Sequence, residues 1–178
     1  MAADKSTVTC TVLAMDSTNF YYKACKLCER ALPDHPLNSS CTACKSKFPA
    51  SFPSHQHLFR LLLSIATDTK VMVVICFDWA AKVLFGCSAH EFLDFAKIHP
   101  FAAENASKVL EGEMLQMTLS KPKNLNAQHL RAVTIVPLRS GFQPVIQTLR
   151  ELCGAQGGPY PVFPFIFCIC LVPLPFPG

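Results

Sequence analysis

The sequence predicts a mainly β fold, in which a five-stranded antiparallel barrel carries an inserted four-cysteine zinc ribbon and a C-terminal helix. Three observations lead to this prediction. Two closely spaced cysteine pairs stand near the N-terminus, segments with strand patterns lie on both sides of them, and helical periodicity is confined to two later regions. A chain of 178 residues is long enough to bury the core of one such domain.

The two cysteine pairs are the strongest motif. Cys25 and Cys28 form one Cys-x-x-Cys pair, and Cys41 and Cys44 form the second about a dozen residues later. This spacing is typical of structural zinc sites, where four thiolates complete a tetrahedral shell and leave no open position for catalysis. Two disulfides or four unrelated buried thiols are the alternatives. We expect these four cysteines to bind zinc in a ribbon over residues of about 23–48.

Five segments have the alternating or continuous apolar patterns of strands, and Pro, Asn, Asp or Lys-containing turns separate several of them. They are Ser6–Met15, Leu58–Ala66, Val71–Phe77, Glu113–Ser120 and Gln128–Val136. Phe20–Tyr22 continues the first strand into the first cysteine pair. The short turn 67–70 predicts that the second and third strands form a hairpin.

Helical signals lie between the third and fourth strands and near the end of the chain. Gly86 is a plausible C-cap for a first helix, with Trp79, Val83 and Leu84 expected on its apolar face. Ser88 and Glu91 form a capping box for a second helix, with a further helical stretch at 102–110. A final helix over 143–152 is expected to turn four side chains inward, namely Val145, Ile146, Leu149 and Leu152.

The order of these elements is that of an OB-fold, a partly open five-stranded barrel with a helix between the third and fourth strands. Such barrels bind oligonucleotides or oligosaccharides. We therefore predict an OB-fold domain over 6–152. Residues 153–178 form an apolar, proline-rich and uncharged segment, which we expect to be an unstructured tail. Its proline-free apolar run is too short to span a bilayer, so no membrane partner is predicted.

The segment Tyr21–Leu138 resembles the C-terminal DNA-binding domain of the large subunit of replication protein A (replication factor A), which carries a zinc ribbon inserted in an OB-fold. The resemblance lies in 22–25 leading into the ribbon, in 41–44 followed by Phe48, and in the strand end 74–77 followed by 84–87. The chain is most similar to short, stand-alone plant proteins with this domain. The resemblance implies binding of single-stranded DNA during DNA replication, recombination or repair, in the nucleus.

Two phenylalanines are candidate base-stacking residues. Phe77 matches a base-stacking phenylalanine of the family, although a phenylalanine at the end of a strand fits a core equally well. Phe48 follows two lysines just past the ribbon and would line a binding groove, unless it packs the ribbon against the barrel.

Four cations are candidate phosphate contacts. Arg60 interrupts an otherwise apolar strand and must therefore face solvent, a partner or a carboxylate. Lys121 and Lys123 lie in the loop before the last strand, and Arg131 lies on that strand. This loop frames the binding face of OB-folds, although a solvated turn is the simpler interpretation of any single lysine.

No catalytic motif accompanies these candidates, since glycine-rich phosphate loops, nucleophile elbows and zinc-protease signatures are missing. We therefore predict a protein that is not an enzyme. The net charge of +4 permits an anionic partner without requiring one. The alternative function is a protein-interaction scaffold that docks onto other OB-fold subunits through the helix at 143–152. The sequence does not separate DNA binding from RNA binding.

Overall fold

The computed structural model describes residues 5–33, 41–44, 55–122 and 127–154. The strands in these ranges are β1 (Lys5–Met15), β2 (Tyr21–Cys25), β3 (His55–Ala66), β4 (Val71–Phe77), β5 (Met114–Ser120) and β6 (Leu130–Pro137). The helices are α1 (Asp78–Phe85), α2 (Ala89–Ile98), α3 (Ala102–Leu110) and α4 (Val145–Gly154). None of the helices within these ranges is both long and apolar enough to cross a membrane.

Five strands close into a barrel, as the sequence predicts. The sheet order is β1-β5-β6-β4-β3-β2, and β1 also pairs with β3, which joins the two sides of the sheet. β1 can serve both neighbours because its first part pairs with β5 and its last part with β3, with a bulge between Val12 and Ala14. β2 extends the sheet beyond β3 as an edge strand and leads into the cysteine pairs.

One pairing of the barrel departs from the predicted antiparallel arrangement. β4 and β6 run parallel, with Ile75 opposite Arg131, whereas the other strand pairs are antiparallel. A closed ring with an odd number of strands cannot alternate direction at every step, so at least one parallel pair is required. Local residue patterns indicate where strands lie but not which strands pair with each other. The β4–β6 pair could therefore not be identified from such patterns.

The barrel interior and the helices share one apolar core. Leu61, Leu63 and Ile65 of β3 are fully buried, as alternation along a strand with one inward face requires. Phe59 and Phe85 lie with ring centroids 4.6 Å apart, and Phe85 contacts Phe92 of α2 at 4.8 Å. The helical region predicted between the third and fourth barrel strands consists of three short helices. The first two, α1 and α2, pack onto β3 through these rings.

The local signals for helix ends are confirmed. Gly86 adopts φ 69° directly after α1, and its N–H donates to the Lys82 carbonyl. The Ser88 side chain accepts from the backbone N–H of Glu91, and the Glu91 carboxylate accepts from the backbone N–H of Ser88. Both features fix helix ends with local chemistry alone, which makes them readable from sequence.

The predicted inward faces of two helices are partly wrong. Trp79 is 82% exposed, because α1 buries the opposite stripe of its surface, consisting of Ala80, Ala81, Leu84 and Phe85. Small alanines let the helix approach the barrel closely, and the bulkier Trp79 and Val83 remain outside. Leu152 is 51% exposed, because the buried face of α4 ends at Leu149.

Candidate metal centre and nucleic-acid cleft

The four predicted zinc ligands form one cluster. The Sγ atoms of Cys25, Cys28, Cys41 and Cys44 all lie within 4.8 Å of one another. The Cys25–Cys44 and Cys28–Cys41 sulfur distances are 3.9 and 3.5 Å. A tetrahedral zinc site with Zn–S bonds of about 2.3 Å places its sulfurs about 3.8 Å apart. Since none of these cysteines is disulfide-bonded, the cluster is able to hold a metal ion.

Backbone hydrogen bonds shape the first cysteine pair. The Cys25 carbonyl accepts from the Glu29 N–H at 2.9 Å, which closes a turn over the Cys-x-x-Cys segment. Glu29 has φ 56°, a left-handed conformation that reverses the chain. The returning residues then pair with β2, because Cys25 donates to the Arg30 carbonyl and Leu32 donates to the Lys23 carbonyl, both at 2.9 Å.

The pKa values of two of the clustered thiols are shifted in opposite directions. The backbone N–H of Cys44 is the main cause that lowers the pKa of Cys41, to about 7. The neighbouring Cys28 sulfur is the main cause that raises the pKa of Cys44, to about 12. Sulfurs this close cannot all ionise by themselves, whereas a divalent ion stabilises every thiolate that it binds. The residues present therefore fit a four-thiolate metal centre.

β2 connects this centre to a cleft on the barrel. The strand pairs with β3 along its whole length, from Tyr21 opposite Phe59 to Cys25 opposite His55. Its C-terminal residue, Cys25, is one of the clustered cysteines, whereas Tyr21, Tyr22 and Lys23 line a cleft of about 770 Å³. A single short strand thus ties the position of the cleft wall to the metal centre.

Two of the predicted nucleic-acid contacts line the cleft, and a third lies against one of them. Phe77 and Arg60 lie opposite each other in the β3–β4 register, and both line the cleft. The guanidinium carbon of Arg131 lies 5.1 Å from the centroid of the Phe77 ring, a cation–π arrangement. The Tyr22 ring contacts Phe77 edge-on at 6.2 Å. Phe77 is half-buried and does not belong to the hydrophobic core cluster.

The other predicted contacts are placed differently. Lys121 is exposed directly after β5, whose last residue, Ser120, pairs with Arg131. Phe48 and Lys123 lie outside the described residues. Tyr21 and Lys23, which were not singled out from the sequence, also line the cleft. They lie four and two residues before Cys25 of the cysteine cluster, and this proximity is the signal that could have identified them.

The cations of the cleft have no carboxylate partners among the described residues. The ion pairs within the described residues involve other cations; Lys82, for example, pairs with Asp78 at 2.6 Å. Arg60, Arg131 and Lys23 take part in none of these pairs. Burial, aided by nearby carboxylates, raises the pKa of Tyr22, so its hydroxyl stays neutral at physiological pH. Aromatic rings with unpaired cations beside them are the chemistry that bases and phosphates of a single strand require.

Comparisons with known proteins agree with this geometry. The family model for the replication factor-A C terminal domain matches residues 6–135. A replication protein A heterotrimer bound to ssDNA has a similar fold, with a TM-score of 0.63 and 21% identity, covering 85% of this chain and 35% of that one. Yeast RPA bound to ssDNA gives a TM-score of 0.62 and 19% identity, and the match covers 85% of this chain and 86% of that one.

The chain therefore spans about a third of the length of the first of these proteins and most of the second. No curated protein matches it. At these identities the two structures establish the fold, and the family match, which extends over most of the chain, establishes the relationship. The chain belongs to the replication factor A C-terminal domain family, a family of non-enzymatic DNA-binding proteins.

Proposed function

We propose that this chain binds single-stranded DNA as an OB-fold module of the replication factor A type, and that it acts in DNA replication, recombination or repair in the nucleus. The cleft around Phe77 carries this proposal. An accessible aromatic ring stands there beside Arg60 and Arg131, neither of which is ion-paired within the described ranges. The similar solved structures, which are bound to ssDNA, support the same function.

The geometry suggests how a strand is held. A base stacks on the Phe77 ring or on the planar Arg131 guanidinium that lies over it, since both surfaces accept a flat aromatic partner. Neighbouring phosphates contact Arg60 and Lys23, which line the same cleft. Tyr22, packed edge-on against Phe77, keeps the ring from turning. Stacking tolerates every base, so this site binds without sequence preference, and single-stranded RNA is a second substrate to be tested.

We also propose that the four-cysteine cluster holds Zn²⁺ as a structural ion. Four thiolates are the ligand set that selects zinc, and a complete shell leaves no position for a reacting water. When bound, the ion supplies folding free energy to the ribbon. Elemental analysis of the purified protein should give about one zinc per chain.

A salt series on full-length protein tests nucleic-acid binding. Labelled oligo-dT and oligo-rU are titrated by fluorescence anisotropy at 50 and 200 mM salt. Three cleft cations, each contributing about 0.7 to the slope on single strands, predict a log–log slope of about −2 and a roughly 20-fold loss of affinity over this range. Phe77→Ala should weaken binding by about 1–3 kcal/mol. The matched control is Phe101→Ala, which removes a ring that is 58% exposed and does not line the cleft. Lack of binding at 50 mM salt would overturn the proposal.

Docking onto other OB-fold subunits is the second candidate. The occurrence of a similar fold within a replication protein A heterotrimer supports it, as does the exposed Leu152 at the end of α4. The apolar face of α4, however, is already buried inside the domain through Val145, Ile146 and Leu149. Co-purification with an OB-fold subunit, lost in Leu152→Lys while oligonucleotide binding is unchanged, would support this candidate. If the Leu152→Lys variant and the unchanged protein co-purify equally with the subunit, α4 is not the docking element.

A further inference from the structure

We propose that Tyr21 is a second base-stacking residue, and that a bound strand passes from Phe77 around the edge of β2 to reach it. This inference rests on the proposed function, because it extends the same single-strand site. It assigns Tyr21 as the platform for a further base, Lys23 as the phosphate contact beside it, and His57 as the residue that positions the ring.

The exposure and packing of Tyr21 fit a stacking platform. The side chain is 39% exposed, although it starts a strand that is otherwise half-buried or buried. Two rings contact it edge-on, Phe20 with centroids 5.2 Å away and His57 with centroids 5.3 Å away. These two contacts restrict the orientation of the ring while part of its surface stays open to solvent. A pre-oriented ring loses little conformational freedom when a base stacks on it.

The direction of the strand follows from the position of β2. Tyr21 and Tyr22 are successive residues of β2 and therefore point to opposite sides of the strand. Tyr22 contacts Phe77, and Tyr21 contacts His57 of β3, yet both tyrosines line the same cleft. The cleft thus turns around the edge of the sheet. The returning segment pairs with β2 at Lys23 and Cys25, and no backbone bond to Tyr21 from that segment appears in the described part of the chain.

His57 is suited to holding Tyr21 in place. It lies opposite Lys23 in the β2–β3 register, two residue pairs away from Tyr21 and therefore on the same face of the paired strands. Burial, reinforced by surrounding cations including Lys23, lowers the pKa of His57. A neutral imidazole packs against the tyrosine ring without repelling the nearby lysine. His57 is therefore a positioning residue, and nucleic-acid contact falls to Tyr21 and Lys23.

The test compares oligonucleotides of two lengths on full-length protein. In an oligo-dT of about twelve nucleotides, Tyr21→Ala should weaken binding about 5- to 150-fold, the range for loss of one stacked base. Tyr21→Phe should bind as the unchanged protein does, because the ring remains. Dinucleotide binding at Phe77 should be insensitive to Tyr21→Ala and abolished by Phe77→Ala. His57→Ala should reproduce the length-dependent loss in weaker form, which a general loss of stability would not do. Phe101→Ala is the control at an exposed aromatic residue outside the cleft.

The outcomes separate this inference from the function on which it rests. If Tyr21→Ala binds the longer strand normally while Phe77→Ala does not, the second platform is wrong and the function stands. If the unchanged protein binds neither length, the proposed function itself is wrong. Should Tyr21→Ala fail to fold, photo-crosslinking of the unchanged protein to iodouracil-substituted oligo-dT decides the matter. A crosslink at Tyr21 supports the inference, and crosslinks at Phe77 without any at Tyr21 contradict it.

Discussion

Loss of the metal centre should disable the cleft while leaving the barrel folded. Cys25→Ser removes one of the four clustered sulfurs, and Cys87→Ser is the matched control at a half-buried cysteine outside the cluster. The connected core contains none of the four clustered cysteines and no residue of β2. The barrel's apolar contacts therefore survive when the ribbon and β2 lose their anchor.

The expected loss of stability is much larger for the ribbon than for the barrel. Structural zinc contributes about 10–16 kcal/mol of apparent binding free energy to small zinc domains, and under the zinc proposal that energy would stabilise the ribbon. The barrel should lose less than about 1 kcal/mol, so its melting temperature should fall by no more than about 2–4 °C. A disordered β2 removes Tyr22 from Phe77 and Lys23 from the cleft, so oligo-dT affinity should fall by about 1–3 kcal/mol or more.

Four measurements check this reasoning, namely zinc content, hydrogen exchange, thermal melting and oligonucleotide affinity. Zinc content should be lost in Cys25→Ser and kept in Cys87→Ser. Amide hydrogen exchange should accelerate along β2 but stay slow in the buried part of β5, and the melting curve should keep its main transition. Complete unfolding of Cys25→Ser in one cooperative step would refute the claim that the barrel core is independent. Unchanged oligonucleotide affinity in zinc-free protein would refute the coupling through β2.

The remaining predictions concern local stability. Gly86→Ala should cost about 2–4 kcal/mol by thermal melting, because the residue has φ 69° and an added Cβ would meet the Pro144 Cβ at 2.3 Å. Gly112→Ala, with φ 83° and nothing within 4 Å, should cost only about 1–2 kcal/mol, and equal losses would contradict the steric argument. Ser88→Ala should cost about 1 kcal/mol through loss of the α2 cap, and an unchanged melting temperature would speak against it. Hydrogen bonds from Ser88 lower the pKa of Glu91 in the folded state. The stability that the ionised Glu91 contributes is therefore present above the pKa of Glu91 in the unfolded chain, and it is lost as the pH falls through the lower pKa of the folded state. Glu91→Gln should make stability depend less on pH in this acidic range. An unchanged pH dependence would mean that other groups cause it.

Much of the architecture was readable from local chemistry. Cys-x-x-Cys spacing indicated the cluster, alternation indicated the strands, and Gly86 and Ser88 indicated helix ends. Each of these signals depends on residues close together in sequence. The family match also confirms the prediction that the chain is not an enzyme. The domain limits 6–152, the tail at 153–178 and the closer similarity to short plant proteins stay predictions.

What local patterns could not supply is relative placement. The parallel β4–β6 pair follows from closing a ring, and the exposure of Trp79 follows from which side of α1 meets the barrel. The cleft shows the same limit. Phe77 was equally compatible with a core position and a binding position, and only the folded structure shows that it is half-buried and lies outside the core cluster.

The distribution of ion pairs links the fold to the proposed function. Along the described chain, Lys82, Lys97 and Arg139 each pair with a carboxylate within 2.7 Å, although such surface pairs stabilise a protein by at most about 1 kcal/mol. Arg60 is half-buried and has no such pair, even though it helps to lower the pKa of Asp16, to which Thr18 contributes more. Arg60 therefore interacts with the Asp16 carboxylate but does not form an ion pair with it, and a half-buried guanidinium gains from a closer negative charge. Under the proposed function, a phosphate in the cleft would place a negative charge close to Arg60, and this attraction would favour binding.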